Sequence, residues 1–335
     1  MVKKFLICGL GSIGQRHYKN LRSLGHNPAV FRKGGGANSD FIEKFLKEES
    51  LAGRSVRIYH DFDEAMNSFD PDAVFITNPN SCHLDTALKA ARFKKHLFIE
   101  KPLSNNLSGM DELKSLANQN NLHVMIAYNL RWHPLLVKMK SLVESGKIGK
   151  PISAHIEMGE CIEDWHPWED YRKTYAAHKS GGGGAVLCFS HDIDYLYWFF
   201  GKPKKVLSIG GKITPLEGDA EDMVKALLEY ENNMIVSLHL DYWQRPQKRS
   251  FEIIGTKGRI IWDYCAKNLV EYPREKGAKP VEYKIPEGFD RNDMFMDEVR
   301  DFILALDGEI KVPIPLQEGI DVLEMSIEIK RGINF

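Results

Sequence analysis

Short apolar runs alternate with longer amphipathic stretches through residues 1–125. The apolar runs are brief and almost wholly hydrophobic, as strands buried on both faces are. The longer stretches have helical spacing, so this part predicts a parallel sheet covered by helices. The predicted strands are Lys4–Cys8, Ala29–Phe31, Val56–Tyr59, Ala73–Thr77, His96–Ile99 and Val124–Tyr128. The predicted helices are Ile13–Leu24, Asp40–Glu49, Phe62–Asn67, His83–Phe93 and Ser108–Asn120.

The pattern changes after Tyr128. Beyond Pro203, apolar and polar residues alternate, which predicts an antiparallel sheet with one exposed face. Its strands are predicted at Leu207–Ile213, Val224–Tyr230, Ile235–Tyr242, Phe251–Gly255, Arg259–Trp262 and Val281–Ile285, with turns at Asn232-Asn233 and Thr256-Lys257-Gly258. Helices are predicted at Pro134–Ser145, Ala185–Phe200, Asp293–Leu306 and Gln317–Gly332.

These elements predict an α/β protein with two domains. Residues 1–125 would form a doubly wound parallel sheet, and residues 126–335 an α+β domain with a large, open, mostly antiparallel sheet. The last helix is expected to pack back on the first domain. Open sheet faces of this kind often pair between copies of a chain.

Composition and charge narrow the classes of function. The 335 residues are 43% apolar and 27% charged, with a net charge of −1, so the chain lacks the basic field that nucleic acids or anionic membranes attract. Five widely spaced cysteines without a CxxC motif indicate reduced thiols in a cytoplasmic protein rather than disulfides or a zinc site. The apolar run at Phe5–Ile7 is too short for a signal peptide.

A glycine motif, Gly9-Leu10-Gly11-Ser12-Ile13-Gly14, follows the first predicted strand and opens the first predicted helix. In this context Gly9 permits a tight turn, Gly11 lets the backbone approach a pyrophosphate, and Gly14 lets the helix pack closely on the strand. The helix N-terminus then faces the phosphates. The motif therefore predicts a bound dinucleotide rather than an empty glycine-rich turn.

The end of the second predicted strand indicates which dinucleotide is bound. An acidic residue there binds the ribose 2′-hydroxyl of NAD, whereas an arginine accommodates the 2′-phosphate of NADP. This chain has Arg32-Lys33 and no acid before Asp40, which favours NADP(H), with NAD(H) as the alternative. The two cations can also be plain solvated surface residues. Gly34–Gly36 beside them is either a loop over the phosphate or a linker.

Two further motifs lie at the carboxyl ends of predicted strands, where parallel sheets bind their ligands. Thr77-Asn78-Pro79-Asn80 follows the fourth strand, with His83 just beyond, and Asn80 or Ser81 can also cap the next helix. Glu100-Lys101-Pro102 follows the fifth strand. A lysine beside the cofactor crevice suits a proton donor or a stabiliser of a developing alkoxide.

Together these motifs resemble the Gfo/Idh/MocA family of oxidoreductases, and the resemblance covers nearly the whole chain. The later stretches agree, and one of them resembles a sugar-acting branch of the family. The matching segments are Gly9–Gly14, Thr77–Asn80 with His83, Glu100–Pro102, Tyr128–Pro134, Trp165–Arg172 with Tyr175, and Gly181–Asp194.

The resemblance implies a Rossmann domain, a homodimer or homotetramer formed through the C-terminal sheet, and hydride exchange between NAD(P) and a hydroxyl or keto carbon of a sugar, sugar nucleotide or cyclitol. Lys101 would bind and polarise the reacting oxygen, and His191 would exchange the hydroxyl proton, which suits a side chain of pKa ~6.5. The motifs and the resemblance give these cofactor residues: Gly9, Gly11, Ser12, Ile13, Gly14, Arg32, Lys33, Thr77, Asn78, Asn80, His83, Glu100, Lys101 and Asn129. They give these substrate residues: Lys101, Arg131, Trp165, Tyr171, Arg172, Tyr175, His191 and Asp192.

One departure from the family pattern concerns the proton relay. Many members carry an acid three or four residues before this histidine, one helical turn away. Here those positions hold Cys188 and Leu187, neither of which can charge-stabilise an imidazole. A non-catalytic sensor that binds a dinucleotide therefore stands as the alternative function, and a scaffold without cofactor as a third.

The segment Cys161–Glu169 is rich in acids and tryptophans. Glu163, Asp164 and His166 lack the spacing of metal ligands, so no metal is predicted. Trp165 and Trp168 suit stacking on a sugar ring and packing in a core equally well.

Overall fold

A computed structural model describes residues 2–33, 39–165 and 169–333. The chain divides into two compact units. Unit 1 comprises Met1–Tyr128 and Phe295–Ile320, and unit 2 comprises Asn129–Met294 and Asp321–Phe335. The segment Phe295–Ile320 thus groups with the N-terminal unit, whereas the sequence pattern placed it in the second domain.

Unit 1 contains a parallel sheet whose strands are almost wholly buried, as their apolar sequences predict. Its described strands are β1 (Phe5–Cys8), β2 (Ala29–Phe31), β3 (Arg57–Tyr59), β4 (Ala73–Ile76), β5 (His96–Glu100) and β6 (Val124–Ala127). The connecting helices are α1 (Ser12–Ser23), α2 (Ser39–Leu51), α3 (Phe62–Glu64), α4 (His83–Arg92) and α5 (Met110–Gln119). The predicted ends shift by only one or two residues, except that α3 continues as a π-helix over Ala65–Phe69.

The strand order β3-β2-β1-β4-β5-β6 confirms the doubly wound prediction. The order reverses between β1 and β4, and the crevice outside the carboxyl ends of these two strands is where such sheets bind ligands. Aromatic packing beneath the sheet holds it rigid, since the Phe75 and Phe98 rings stack at 4.4 Å and Phe302 meets both edge-on.

Unit 2 contains the predicted large sheet, in the order β14-β13-β12-β11-β7-β10-β9-β8. Its described pairs are antiparallel except β7 with β10, which are parallel. The strands are β7 (Pro151–Gly159), β8 (Lys205–Gly211), β9 (Met223–Glu229), β10 (Ile235–Asp241), β11 (Lys248–Gly255), β12 (Gly258–Asp263), β13 (Asn268–Pro273) and β14 (Val281–Lys284). The helices of unit 2 are α6 (Pro134–Glu144), α7 (Ala185–Cys188) and α8 (Ser190–Phe200). Of the two last helices, α9 (Arg291–Leu306) belongs mostly to unit 1 and α10 (Leu316–Arg331) mostly to unit 2.

Two strands of this sheet, β7 and β13, were not predicted. In β7 the residues Ala154, Ile156 and Met158 are buried, while His155 between them is exposed. The apolar–polar alternation of a half-buried strand is thus present in β7, and the prediction missed it. The predicted turns at Asn232-Asn233 and Thr256-Lys257-Gly258 join β9 to β10 and β11 to β12.

The single helix predicted over Ala185–Phe200 is two helices. The backbone leaves helical geometry at Phe189 (φ −95°, ψ 29°), between α7 and α8. No Gly or Pro marks this break, so the apolar pattern alone could not show it. Within the described residues, no helix is long and apolar enough to cross a membrane.

Candidate active site

The three glycines of the loop after β1 have different surroundings. Gly9 has φ +106°, and a Cβ there would lie 2.9 Å from the Asn78 Cα atom. A Cβ on Gly14 would lie 2.2 Å from the Gly9 carbonyl oxygen. Around Gly11, in contrast, a Cβ would meet nothing within 4 Å. The first and third glycines are thus required by packing, and the second leaves its backbone open to a ligand.

Helix α1 begins directly after Gly11, so its unpaired N–H groups face this open space. Ser12 is exposed and Ile13 half-buried, and the first helical turn holds no acidic residue that would compete with a bound anion. The residues present therefore fit the pyrophosphate of a dinucleotide.

The hydroxyl of Thr77 supports this loop. It donates hydrogen bonds to the carbonyl oxygens of Cys8 (3.1 Å) and Gly9 (2.9 Å), at the point where β1 and β4 end. The sequence predicted a cofactor contact for Thr77, whereas in the structure its side chain hydrogen-bonds to the glycine loop and stabilises it.

Arg32 and Lys33 follow β2, as predicted. The Arg32 N–H donates to the Tyr59 carbonyl (3.0 Å), and its own carbonyl lies 3.0 Å from His60 Nδ1, so the backbone of Arg32 is fixed to the neighbouring strand. The Arg32 side chain is half-exposed and that of Lys33 is exposed. Gly34–Gly36 lies outside the described residues.

Hydrogen bonds from the side chains of His83 and Asn78 stabilise the turn after β4. The ring nitrogens of His83 lie 2.8 Å from the carbonyl oxygens of Pro102 and Asn78, and the Asn78 amide donates to Thr86 Oγ1 at 2.8 Å. Burial lowers the pKa of His83. His83 and Asn80 are both buried, and the N-cap residue of α4 is Cys82, not the predicted Asn80 or Ser81. His83 therefore joins the ends of β4 and β5 rather than facing solvent.

Lys101 comes directly after β5 and is half-exposed. Glu100 before it is buried; its Oε1 atom lies 2.7 Å from His17 Nε2, and its Oε2 atom accepts the Lys101 N–H at 3.2 Å. The Lys101–Pro102 peptide bond is cis. Glu100, predicted as a cofactor residue, thus has a carboxylate that already holds two internal partners.

In unit 2, His191 lies in the first turn of α8 and is half-buried. Its neighbour Asp192 is fully buried, where it accepts hydrogen bonds from Tyr195 Oη (2.5 Å) and Arg249 Nη2 (3.1 Å). Burial first, and then the Asp192 charge, raises the pKa of Tyr195. The sequence predicted a substrate contact for Asp192, and the structure gives it structural partners that tie α8 to β11.

Arg131, like Asp192, is a predicted substrate residue that forms a buried ion pair. Its guanidinium donates to both carboxylate oxygens of Asp194, with the shortest distance at 2.7 Å, and lies over the Trp198 ring. Arg131 and Asp194 are both buried, so this predicted substrate residue also holds α8 in place. Asn129, in the same short 3₁₀ turn as Arg131, is buried too.

Arg172 lies in an exposed polar cluster. Its side chain donates to both carboxylate oxygens of Asp170 (2.8 and 2.9 Å) and to Glu217 (3.2 Å). The hydrogen bond from Arg172 lowers the pKa of Asp170. Tyr171 Oη accepts the Glu217 N–H at 3.0 Å, and Tyr175 is exposed.

Trp165 packs against Phe189 and Tyr242, with ring centroids 5.5 and 5.2 Å away. Of the two roles weighed for it, this geometry favours packing. Trp168 and His166 lie outside the described residues. Among the residues that the structure describes, no three His, Cys, Asp or Glu side chains form a metal site.

Sequence reasoning missed several buried polar residues. Glu221 is fully buried, and its carboxylate lies against Gly184: a Cβ on Gly184 would be 2.2 Å from Glu221 Oε1. Lys330 Nζ forms an ion pair with Glu221 Oε1 at 3.0 Å. Burial raises the pKa of Glu221. The glycines before Ala185 were noticed, but no sequence spacing connects them to residues so far along the chain.

Both the N-terminal and the C-terminal parts of the chain match known protein families. Residues 3–128 match the oxidoreductase family with an NAD-binding Rossmann fold, and residues 136–261 match the GFO/IDH/MocA C-terminal domain.

The chain belongs to the Gfo/Idh/MocA family.

Individual members of the Gfo/Idh/MocA family resemble the chain along most of its length. Myo-inositol 2-dehydrogenase of Thermotoga maritima is 26% identical over 303 residues, which cover 89% of this chain and 86% of that protein. The structure of a levoglucosan dehydrogenase in complex with NADH and levoglucosan matches with a TM-score of 0.86 at 19% identity, covering 99% of this chain and 97% of that one. UDP-N-acetylglucosamine 3-dehydrogenase from Acidithiobacillus ferrooxidans matches with a TM-score of 0.78 at 19% identity, covering 99% and 98%.

Family membership makes the protein an oxidoreductase with a nicotinamide-dinucleotide domain, as the sequence predicted. Gly9–Gly14 and Lys101 lie within the residues that match the Rossmann family, and His191 lies within those that match the C-terminal domain.

Proposed function

We propose that the protein exchanges a hydride between NADP(H) and a hydroxyl or keto carbon of an uncharged sugar or cyclitol. The observation that carries this proposal is the open backbone at Gly11, at the switch point of the sheet, with Lys101 at the end of β5 in the same unit. NAD(H) remains the alternative cofactor.

The glycine loop and the start of α1 would hold the pyrophosphate, and Arg32 with Lys33 would hold a ribose 2′-phosphate. When bound, the nicotinamide ring supplies or accepts the hydride. Of the other predicted cofactor residues in unit 1, Asn78, Asn80 and His83 would shape the crevice; Asn129 stays a predicted cofactor residue.

Lys101 would bind the reacting oxygen and stabilise negative charge on it, because an ammonium group is a compact donor. His191 would take the hydroxyl proton during oxidation and return it during reduction. Asp192 and Asp194, one and three residues after His191, are held by Arg249 and Arg131, so the helix that carries His191 is fixed by two buried ion pairs. This rigidity would orient the imidazole where Cys188 and Leu187 replace the usual acid.

The charges of unit 2 favour an uncharged substrate. Each of four arginines in or beside the predicted substrate segments already has a carboxylate partner: Arg131 with Asp194, Arg172 with Asp170, Arg245 with Asp164, and Arg249 with Asp192. A diphosphate needs cations that are not already paired, whereas ring hydroxyls can hydrogen-bond to carboxylates. Tyr171, Arg172 and Tyr175 would meet such a substrate through this polar cluster, and Trp165 would support it from behind.

A screen of the purified protein tests this function. NADP+ or NAD+ would be combined with cyclitols, neutral sugars, anhydrosugars and UDP-sugars, and formation of reduced cofactor followed by absorbance. We expect turnover with a neutral ring polyol. Turnover confined to UDP-sugars would overturn the uncharged class, and tight cofactor binding without any turnover would favour the non-catalytic sensor, which the buried Cys188 motivates.

The open face of the unit 2 sheet supports a second copy of the chain as partner. Leu207, Ile209, Leu227 and Ile235 on β8, β9 and β10 are each more than half exposed (52–72%). An apolar sheet face of this kind marks an interaction surface. A homodimer or homotetramer through this face would cover it, and a cytoplasmic location accords with five free cysteines.

A further inference from the structure

His17 lies in the second turn of α1, the helix that begins at the glycine loop. It is fully buried, and its ring is enclosed by Phe75, Phe98 and Phe295, with centroids 5.1–6.1 Å away. An imidazole in such an apolar pocket costs desolvation energy unless its polar atoms find partners. The sequence analysis gave His17 no role.

The partner of His17 is Glu100. Nε2 of the ring lies 2.7 Å from Glu100 Oε1, whereas Nδ1 is buried without a hydrogen-bond partner among the described residues. A carboxylate oxygen accepts hydrogen bonds, so the Nε2–H of His17 is the donor in this contact.

The second carboxylate oxygen of Glu100 accepts the backbone N–H of Lys101 at 3.2 Å. Two successive hydrogen bonds therefore connect α1 to Lys101: His17 to Glu100, and Glu100 to the Lys101 backbone. With His17 locked by three aromatic rings, the carboxylate has one orientation.

We propose that His17 is a positioning residue for the reaction, which orients Glu100 and through it holds Lys101 in place relative to the cofactor-binding helix. The inference rests on the function proposed above for Lys101. It predicts that loss of the Nε2 donor displaces Lys101 while the glycine loop keeps its own structure.

The experiment compares His17→Leu, which removes the donor, with His17→Gln, whose amide nitrogen reaches about as far as Nε2. His26 supplies the matched control, as a second buried histidine of unit 1 with its ring against Phe5; it accepts the Lys3 N–H at 3.2 Å, at the amino ends of the strands. His26→Leu and His26→Gln report what removal of a buried imidazole does by itself.

Two readouts are used. Protein labelled with carbon-13 at lysine Cε, without cofactor, gives the Lys101 resonance, assigned by its loss in Lys101→Met. We expect this resonance to shift in His17→Leu, to return toward its original position in His17→Gln, and to stay in both His26 variants. On the enzyme with its best substrate, kcat should fall ~10–100-fold in His17→Leu, as misplacement of a reacting group does, with cofactor Kd within ~3-fold. His17→Gln should recover most of kcat.

An unshifted Lys101 resonance, or equal effects of the Leu and Gln variants, would overturn the proposal. Should His17→Leu fail to fold, His17→Asn takes its place, because its shorter side chain cannot bring a donor to Glu100. In a double-mutant cycle, Glu100→Gln combined with the His17 variant should be no worse than Glu100→Gln alone. Full turnover by Lys101→Met would instead refute the proposed function, while the resonance data would still decide the positioning role.

Discussion

At the scale of single residues, buried carboxylates lie next to both candidate catalytic groups in the sequence. Glu100 contacts the Lys101 backbone in unit 1, and Asp192 and Asp194 follow His191 on α8 in unit 2. Buried carboxylates with these partners are rigid, because moving them would leave charges without hydrogen bonds. Lys101 and His191 themselves stay half-exposed, as groups that meet a ligand must.

The choice between the two dinucleotides depends on Arg32. Replacing it in Arg32→Gln should weaken NADP(H) binding by at least ~10-fold, because a charge-assisted bond to phosphate is worth ~1.5–3 kcal/mol, and should leave NAD(H) binding nearly unchanged. Cofactor fluorescence titrations measure both constants. An equal effect on both cofactors would show that Arg32 does not bind a 2′-phosphate.

The site residues divide into those that sequence could and could not predict. Gly9, Gly11 and Lys101 come after strands with a recognisable pattern. Their position at the carboxyl ends of the strands can therefore be inferred from topology alone. His17 and Arg249 were missed because a buried polar residue in a helix or strand looks like a solvated one until its partner is known. For Arg131 and Asp192 the segment was noticed, but internal ion pairs are not encoded in local spacing.

At the scale of elements, the strand–loop–helix unit β1–α1 makes a prediction with its own control. Gly14→Ala should lower the thermal midpoint without cofactor, because its Cβ would lie 2.2 Å from the Gly9 oxygen. Gly11→Ala meets open space and should leave that midpoint within ~1 °C, yet weaken dinucleotide binding by ~10-fold or more. Thermal shifts with and without cofactor measure both. Identical behaviour of the two variants would contradict the assigned roles.

Helix α8 provides a second element-scale prediction. Asp194→Asn removes the carboxylate that pairs with buried Arg131, and breaking a buried ion pair typically costs ~3–5 kcal/mol, so the midpoint for unit 2 should fall by at least ~5 °C. Asp297→Asn removes a partner from the exposed Arg300 pair and should change the midpoint by ~1 °C or less. A midpoint unchanged in Asp194→Asn would argue for a ligand-binding role of Arg131.

Elements were easiest to predict where burial is uniform. The strands of unit 1 are mostly apolar and were all predicted, whereas β7, with His155 and Glu157 alternating with buried apolar residues, was missed. The break at Phe189 between α7 and α8 has no Gly or Pro to mark it, so the apolar pattern of the segment could not show it.

At the scale of the whole molecule, the open sheet face predicts self-association. Leu227→Arg places a charge among exposed apolar residues of β8 and β10 and should shift the protein toward monomer in sedimentation velocity. Val137→Arg, on the exposed side of α6, serves as control and should keep the wild-type species. A wild-type protein that is already monomeric would exclude the proposed oligomer.

Turnover by variants of the two candidate catalytic residues tests the account most directly. With the best substrate of the screen, Lys101→Met and His191→Asn should each lower kcat by ~10²–10⁴-fold, the usual contribution of a positioned proton-transfer group, while cofactor Kd stays within ~3-fold. A kcat within ~10-fold of wild type in both variants would contradict the proposal that Lys101 and His191 carry the reaction.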